Sequence, residues 1–143
     1  MRINGRWLPD AEGTMRPTVL LRVRARNGGW RAIDFLVDTG ADRTVFTENL
    51  VTALGLPSSP AVLLSGVGGL APSVWVQTSL RLGRDDGGTV TFTSHFVGFT
   101  APSALDMSLL GRDVLNFFAV IVDKPNNIVC LLAERHQYTI QTV

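Results

Sequence analysis

A mostly β fold, one domain with one or two short helices, is predicted by three features of the sequence. Apolar and polar residues alternate at a period of two, most clearly where Val19, Leu21, Val23 and Ala25 interleave with Leu20, Arg22, Arg24 and Arg26; this is the pattern of a strand with one wet face. Short apolar runs recur between clusters of Gly, Asn, Asp and Pro, the spacing of successive hairpins. At 143 residues and 45% hydrophobic, the chain has material for one core and no room for two comparable lobes.

Residues 1–17 carry Asn4-Gly5, Pro9-Asp10, Gly13 and Pro17 around a lone Trp7, and read as an irregular N-terminal arm before a domain over 18–143. Thr18 to Ala25 is the first strand, Asn27-Gly28-Gly29 turns the chain, and Trp30 to Val37 returns beside it. Thr44-Val45-Phe46 is a short strand. Thr47 to Gly55 is a short helix, capped by Thr47 and ended by Gly55. Ala61–Leu64 and Val74–Val76 flank the glycine-rich Ser65-Gly66-Val67-Gly68-Gly69-Leu70 as two strands. Thr78–Leu82 and Val90–Phe99 form a hairpin across residues 84–88, and Phe117–Val122 pairs with Ile128–Leu132 across residues 123–127.

Several function classes drop out. A formal net charge of +1 gives no global attraction to nucleic acid, membrane surfaces or acidic partners. The row Arg22, Arg24, Arg26 reads as a solvated edge that resists unwanted strand pairing, so no nucleic-acid partner is expected. No basic leader with an apolar stretch and no membrane-length apolar run is seen, and a soluble cytoplasmic protein is the expectation. The preponderance of Arg over Lys, with abundant Ala, Gly and Val, suits a GC-rich bacterial genome. Cys130 is the only cysteine and sits in the apolar run Ile128–Leu132, so it reads as a buried strand residue. His95 and His136 are far apart, which leaves no metal site, and no Gly-x-Ser-x-Gly elbow is present. Gly66 to Ala71 formally fits a G-x-G-x-x-A nucleotide loop, but Pro72 and the β-rich Val74-Trp75-Val76 follow where a helix is required.

What remains is Phe35-Leu36-Val37-Asp38-Thr39-Gly40-Ala41, an apolar run that delivers one carboxylate onto a tight turn of small residues. An Asp-Thr/Ser-Gly triplet arises by chance in roughly one chain in twenty of this length, and alone it reads equally well as a plain turn. Two further motifs follow in order: the glycine segment 65–70 and Leu109-Leu110-Gly111-Arg112-Asp113-Val114-Leu115. Over roughly residues 18–132, this combination resembles the retroviral-type, or retropepsin-like, aspartic proteases.

The resemblance implies a single-lobe acid protease barrel and an aspartic endopeptidase that needs no cofactor. Such an enzyme hydrolyses a peptide bond by a water activated between two carboxylates, and this chain supplies one. The second would come from another copy in a homodimer. Two carboxyls that close cannot both ionise, so the pair shares one proton between two macroscopic steps, the known behaviour of the aspartic protease dyad. Asp38 of one subunit then takes a proton from water while Asp38 of the other protonates the carbonyl oxygen. By the same resemblance Thr39 links the two turns, Gly40 lets them approach, and Ala41 leaves room for an extended peptide. Asp42 and Arg112 form an ion pair, Gly66, Val67 and Gly68 belong to a flap over substrate, and Leu110 lies under the turn at the substrate groove. The alternative is a noncatalytic dimerisation or peptide-binding module that keeps the fold without turnover. Retroviral enzymes interleave their chain ends in the dimer; the turn-rich arm and the C-terminal Tyr138–Val143 leave that part of the pattern unmatched.

Overall fold

The computed structural model describes residues 1–60, 64–66 and 69–133, with residues 64–66 and 69–71 described by their backbone pairing. In chain order the strands are β1 (Arg2–Asn4), β2 (Arg6–Pro9), β3 (Met15–Arg24), β4 (Trp30–Val37), β5 (Val45–Phe46), β6 (Ser58–Pro60), β7 (Leu64–Gly66), β8 (Gly69–Ala71), β9 (Ser73–Gly83), β10 (Thr89–Phe99), β11 (Leu109–Leu110), β12 (Ala119–Asp123) and β13 (Ile128–Leu132). Helix α1 (Glu48–Leu54) follows β5, and α2 (Arg112–Leu115) follows β11.

The alternation over 18–25 lies in β3, paired antiparallel with β4 from Thr18 opposite Leu36 to Arg24 opposite Trp30. Val19, Leu21 and Val23 are fully buried while Leu20, Arg22 and Arg24 face out. Gly28 makes the turn at φ 82°, a conformation that costs a residue without Cβ nothing. The main sheet runs β2-β3-β4-β11-β5-β10-β9-β6, and a further pairing of β3 with β9 closes the circuit from β3 through β4, β11, β5, β10 and β9. Closure surrounds a core of Phe35, Phe46 and Phe96 with Leu21, Leu80, Leu82 and Leu110. The Phe35 and Phe46 rings meet edge-on at 5.9 Å and the Phe46 and Phe96 rings at 5.6 Å, within the range in which aromatic pairs attract.

Helix α1 begins where the sequence places it. The Leu50 N–H donates to Thr47 Oγ1 at 3.3 Å, and Gly55 ends the helix at φ 64°. Thr47→Ala should cost about 1 kcal/mol, read as a lower urea midpoint with an unchanged slope.

Four differences from the sequence-based expectations have physical causes. Residues 1–17 are not irregular: β1 pairs with β13, β2 pairs with β3, and Ile3 is buried in the core. Asn4-Gly5 is the crossing point between β1 and β2, where a Cβ on Gly5 would lie 2.2 Å from the Thr18 carbonyl oxygen, so this glycine serves close approach as well as chain direction. Secondly, β3 is no sheet edge; it has β2, β4 and β9 as neighbours. Of its arginines Arg24 meets an aromatic ring: Arg24 and, from the neighbouring β9, Arg81 lie 5.3 and 4.0 Å from the centroid of Trp30. Thirdly, Val74–Val76 and Thr78–Leu82 are one continuous strand, β9, because Gln77 continues the alternation on the outward face. Lastly, Phe117 and Phe118 lie in the turn before β12, where both rings pack near Phe92.

The glycine segment forms a separate hairpin, with Ser65 opposite Leu70 and Gly66 opposite Gly69. Gly66 and Gly69 therefore belong to its strands. Val67 and Gly68 lie outside the described residues, as do 61–63, His136 and the C-terminal run Tyr138–Val143. A strand, β9, follows the hairpin, in place of the helix a nucleotide loop requires. Cys130 is buried in β13, and burial pushes its thiol pKa up. Among the described residues no cluster of His, Cys, Asp and Glu is arranged to hold a metal, and no helix is long and apolar enough to cross a membrane.

Candidate active site

Asp38 is the first residue beyond β4, half-buried at the end of an apolar strand whose Phe35 and Val37 are anchored in the core. Its own N–H donates to the Leu110 carbonyl at 3.1 Å, and its carbonyl accepts from Ala41 N–H at 3.2 Å to close the turn. Gly40 N–H donates to Asp38 Oδ1 at 3.0 Å. A Cβ on Gly40 would approach that oxygen to 3.3 Å, so a side chain here would crowd the carboxylate. Thr39, Gly40 and Asp42 are exposed and Ala41 is half-exposed.

The downstream motif clamps this turn from below. Strand β11 pairs parallel with β4, Leu109 opposite Leu36 and Leu110 opposite Val37, and antiparallel with β5, Leu109 opposite Val45. Arg112 N–H donates to the Ala41 carbonyl at 2.8 Å and Asp113 N–H to the Asp42 carbonyl at 3.2 Å. The Arg112 guanidinium pairs with the Asp42 carboxylate and also donates to the Thr39 carbonyl at 3.4 Å. Both side chains of that pair are substantially exposed, so its Coulombic part contributes at most about 1 kcal/mol. Its value here is geometric, since one planar fork reaches two points of the same turn.

Beneath the ion pair lies a network whose members the motif pattern alone does not assign. Asp113 Oδ1 accepts from the Thr44 N–H at 2.9 Å and from Thr44 Oγ1 at 2.7 Å, and Gly111 N–H donates to Thr44 Oγ1 at 3.1 Å. Thr44 is fully buried, so these bonds satisfy groups that would otherwise be desolvated without partners. Gly111 has no space for a side chain: a Cβ would stand 2.3 Å from both the carbonyl carbon and the oxygen of Arg43. Ser108, also buried, accepts from Thr47 N–H at 3.0 Å through its hydroxyl, while its carbonyl accepts from Leu36 N–H at 2.9 Å. The sequence signal for this network was the Asp two residues after Gly111; its partner Thr44, 69 positions away, had none.

Leu110, expected beside the substrate, is fully buried in the core in register with Val37, and Leu109 is the half-exposed member of the pair. Strand alternation explains this, because neighbours on a strand take opposite faces. The same alternation shows what surrounds Asp38. Cross-strand register sets Leu36, Leu109, Val45, Val97 and Trp75 in one row over β4, β11, β5, β10 and β9, on the face away from Phe46, Phe96 and Leu110. Asp38 follows β4 two residues beyond Leu36, at the margin of this apolar floor. Gly66 lies in the separate hairpin, and Val67 and Gly68 fall outside the described residues.

Residues 22–114 match the family described as aspartyl protease. Among solved structures, a retropepsin-like aspartic protease from Rickettsia conorii superposes with a TM-score of 0.53 at 23% identity, covering 92% of this chain and 88% of that one. The EIAV protease, solved in complex with the inhibitor HBY-793, superposes with a TM-score of 0.51 at 24% identity, covering 71% and 86%. At these identities the likeness is one of fold. No curated protein matches the chain significantly in sequence. With the matched segment spanning the Asp38 turn, the glycine hairpin and the Leu-Leu-Gly-Arg-Asp element, this chain belongs to the aspartyl protease family and has the single-lobe, mostly β retropepsin-like fold.

Proposed function

We propose that this protein is an aspartic endopeptidase whose catalytic pair is made of Asp38 from each of two copies, hydrolysing extended peptides without metal or cofactor. The observation that carries the proposal is the single Asp-Thr-Gly turn, half-exposed and pinned at both ends to β11 and α2. One chain offers one such carboxylate, and concerted activation of water and carbonyl needs a donor and an acceptor together. A two-fold axis beside the exposed Thr39 and Gly40 supplies the second in mirrored chemistry. Thr39 joins the turns, Gly40 holds each carboxylate through its N–H, and Ala41 and Asp42 border the substrate. Arg112 supports the turn from behind. The glycine segment to which Gly66, Val67 and Gly68 belong acts as the flap, closing over the peptide and offering it backbone hydrogen bonds.

Turnover of a peptide library by wild type and Asp38→Asn tests the proposal. Activity per mole of chain should rise with protein concentration and then level off, as a site shared between subunits requires. The pH–rate profile should be bell-shaped with an acidic optimum, because only the singly protonated pair is active. A rate constant across pH 4 to 9 would contradict a shared proton.

A further inference from the structure

The apolar floor that ends at Asp38 carries, at its rim, a cation that no other part of the described fold engages in a charge pair. Arg43 lies in the bend between the Asp38 turn and β5, two residues before Val45, whose cross-strand row Val97 and Trp75 complete. It is exposed, and its guanidinium lies 5.0 Å from the centroid of the Trp75 ring. Among the described residues no carboxylate pairs with it; the adjacent Asp42 is engaged by Arg112. Stacking occupies the face of a guanidinium and leaves its in-plane N–H groups available. The backbone of Arg43 is held as well, packed against Gly111 so closely that no Cβ fits between them. Trp75, in turn, stands two residues into β9, just after the β7–β8 hairpin. Arg43 is thus a pre-positioned, unpaired fork between the catalytic turn and the base of the glycine hairpin.

We infer that Arg43 is a specificity-determining residue that takes an Asp or Glu side chain of the bound peptide, so that the enzyme selects acidic substrates. The inference rests on the endopeptidase reading above. A carboxylate meets the free edge of the guanidinium through two parallel N–H bonds, and stacking on Trp75 has already reduced the side-chain freedom that binding would otherwise remove. The two-fold axis that pairs the Asp38 residues carries one Arg43 to each side of the scissile bond. The acid preference is therefore symmetric, falling at two positions about equally far from the bond.

The experiment is positional profiling of cleaved sequences from a peptide library, with wild type, Arg43→Ala, Arg43→Glu, Arg43→Lys and Asp38→Asn. Wild type should enrich Asp and Glu on both sides of the bond. The ratio of kcat/KM for matched acidic and neutral peptides should fall about tenfold in Arg43→Ala. That ratio should invert toward Lys and Arg in Arg43→Glu and survive in Arg43→Lys. If either charge-removing variant does not fold by circular dichroism, the near-isosteric Arg43→Gln takes its place. No acidic enrichment in wild type, or the same enrichment after the charge is removed or reversed, overturns the role of Arg43 and leaves the endopeptidase intact. Absence of any wild-type cleavage, or undiminished cleavage by Asp38→Asn, overturns the endopeptidase reading itself and the role of Arg43 with it.

Discussion

Asp38→Asn should lower peptide turnover by at least about 10³-fold while circular dichroism and sedimentation stay those of wild type. Asn keeps the size of the side chain and an oxygen to accept the Gly40 N–H, now at 3.0 Å from Oδ1, so the turn has no reason to move. What it loses is the group that takes or gives the proton. In a symmetric dimer one substitution removes both carboxyls. A sharper version of the experiment mixes the chains. Adding excess Asp38→Asn to a fixed amount of wild type should suppress activity, because mixed dimers hold only one carboxyl. If the activity of wild type is indifferent to the added variant, each chain works with an acid of its own and the shared pair is wrong.

Gly111→Ala should destabilise the fold by about 3 kcal/mol, toward the upper end of the usual cost of overpacking. The Cβ would stand 2.3 Å from Arg43 backbone atoms and 2.8 Å from Thr44 N. Backbone cannot rotate aside as a flexible side chain does, so either α2 or the segment after the Asp38 turn must shift. Either shift strains the bonds that Arg112 and Asp113 make to the carbonyls of Ala41 and Asp42. Chemical denaturation measures the loss, and residual activity of the folded fraction should fall as well, since the turn is held by the displaced elements. An alanine variant with the wild-type midpoint would show that the contact relaxes at no cost and that α2 is not tightly seated.

Local chemistry carried most of what could be read from residues alone. Helix α1 was legible because Thr47 and Gly55 act within a few residues of the ends they define, and the β3–β4 and β9–β10 hairpins were legible because alternation and turn glycines are local signals. The turn at Asp38 was legible for the same reason: three small or polar residues after an apolar strand have few conformations open to them. The downstream motif was visible as a pattern, and together with the Asp38 turn and the glycine segment it pointed to the aspartyl protease family that residues 22–114 match.

The partner strands of residues 2–9 and the interior position of β3 were decided by long-range pairing, which no short window of sequence encodes. So was the difference in burial between Leu109 and Leu110: both are leucines in a two-residue strand, and only the register against Leu36 and Val37 determines which one the core takes. Thr44, Asp113 and Gly111 became a unit because three segments meet beneath the turn, and hydrogen bonds across such distances exist only after the sheet has closed. Sequence specified the acid and the turn that presents it; the closed sheet determined what holds that turn and which cation stands at its rim.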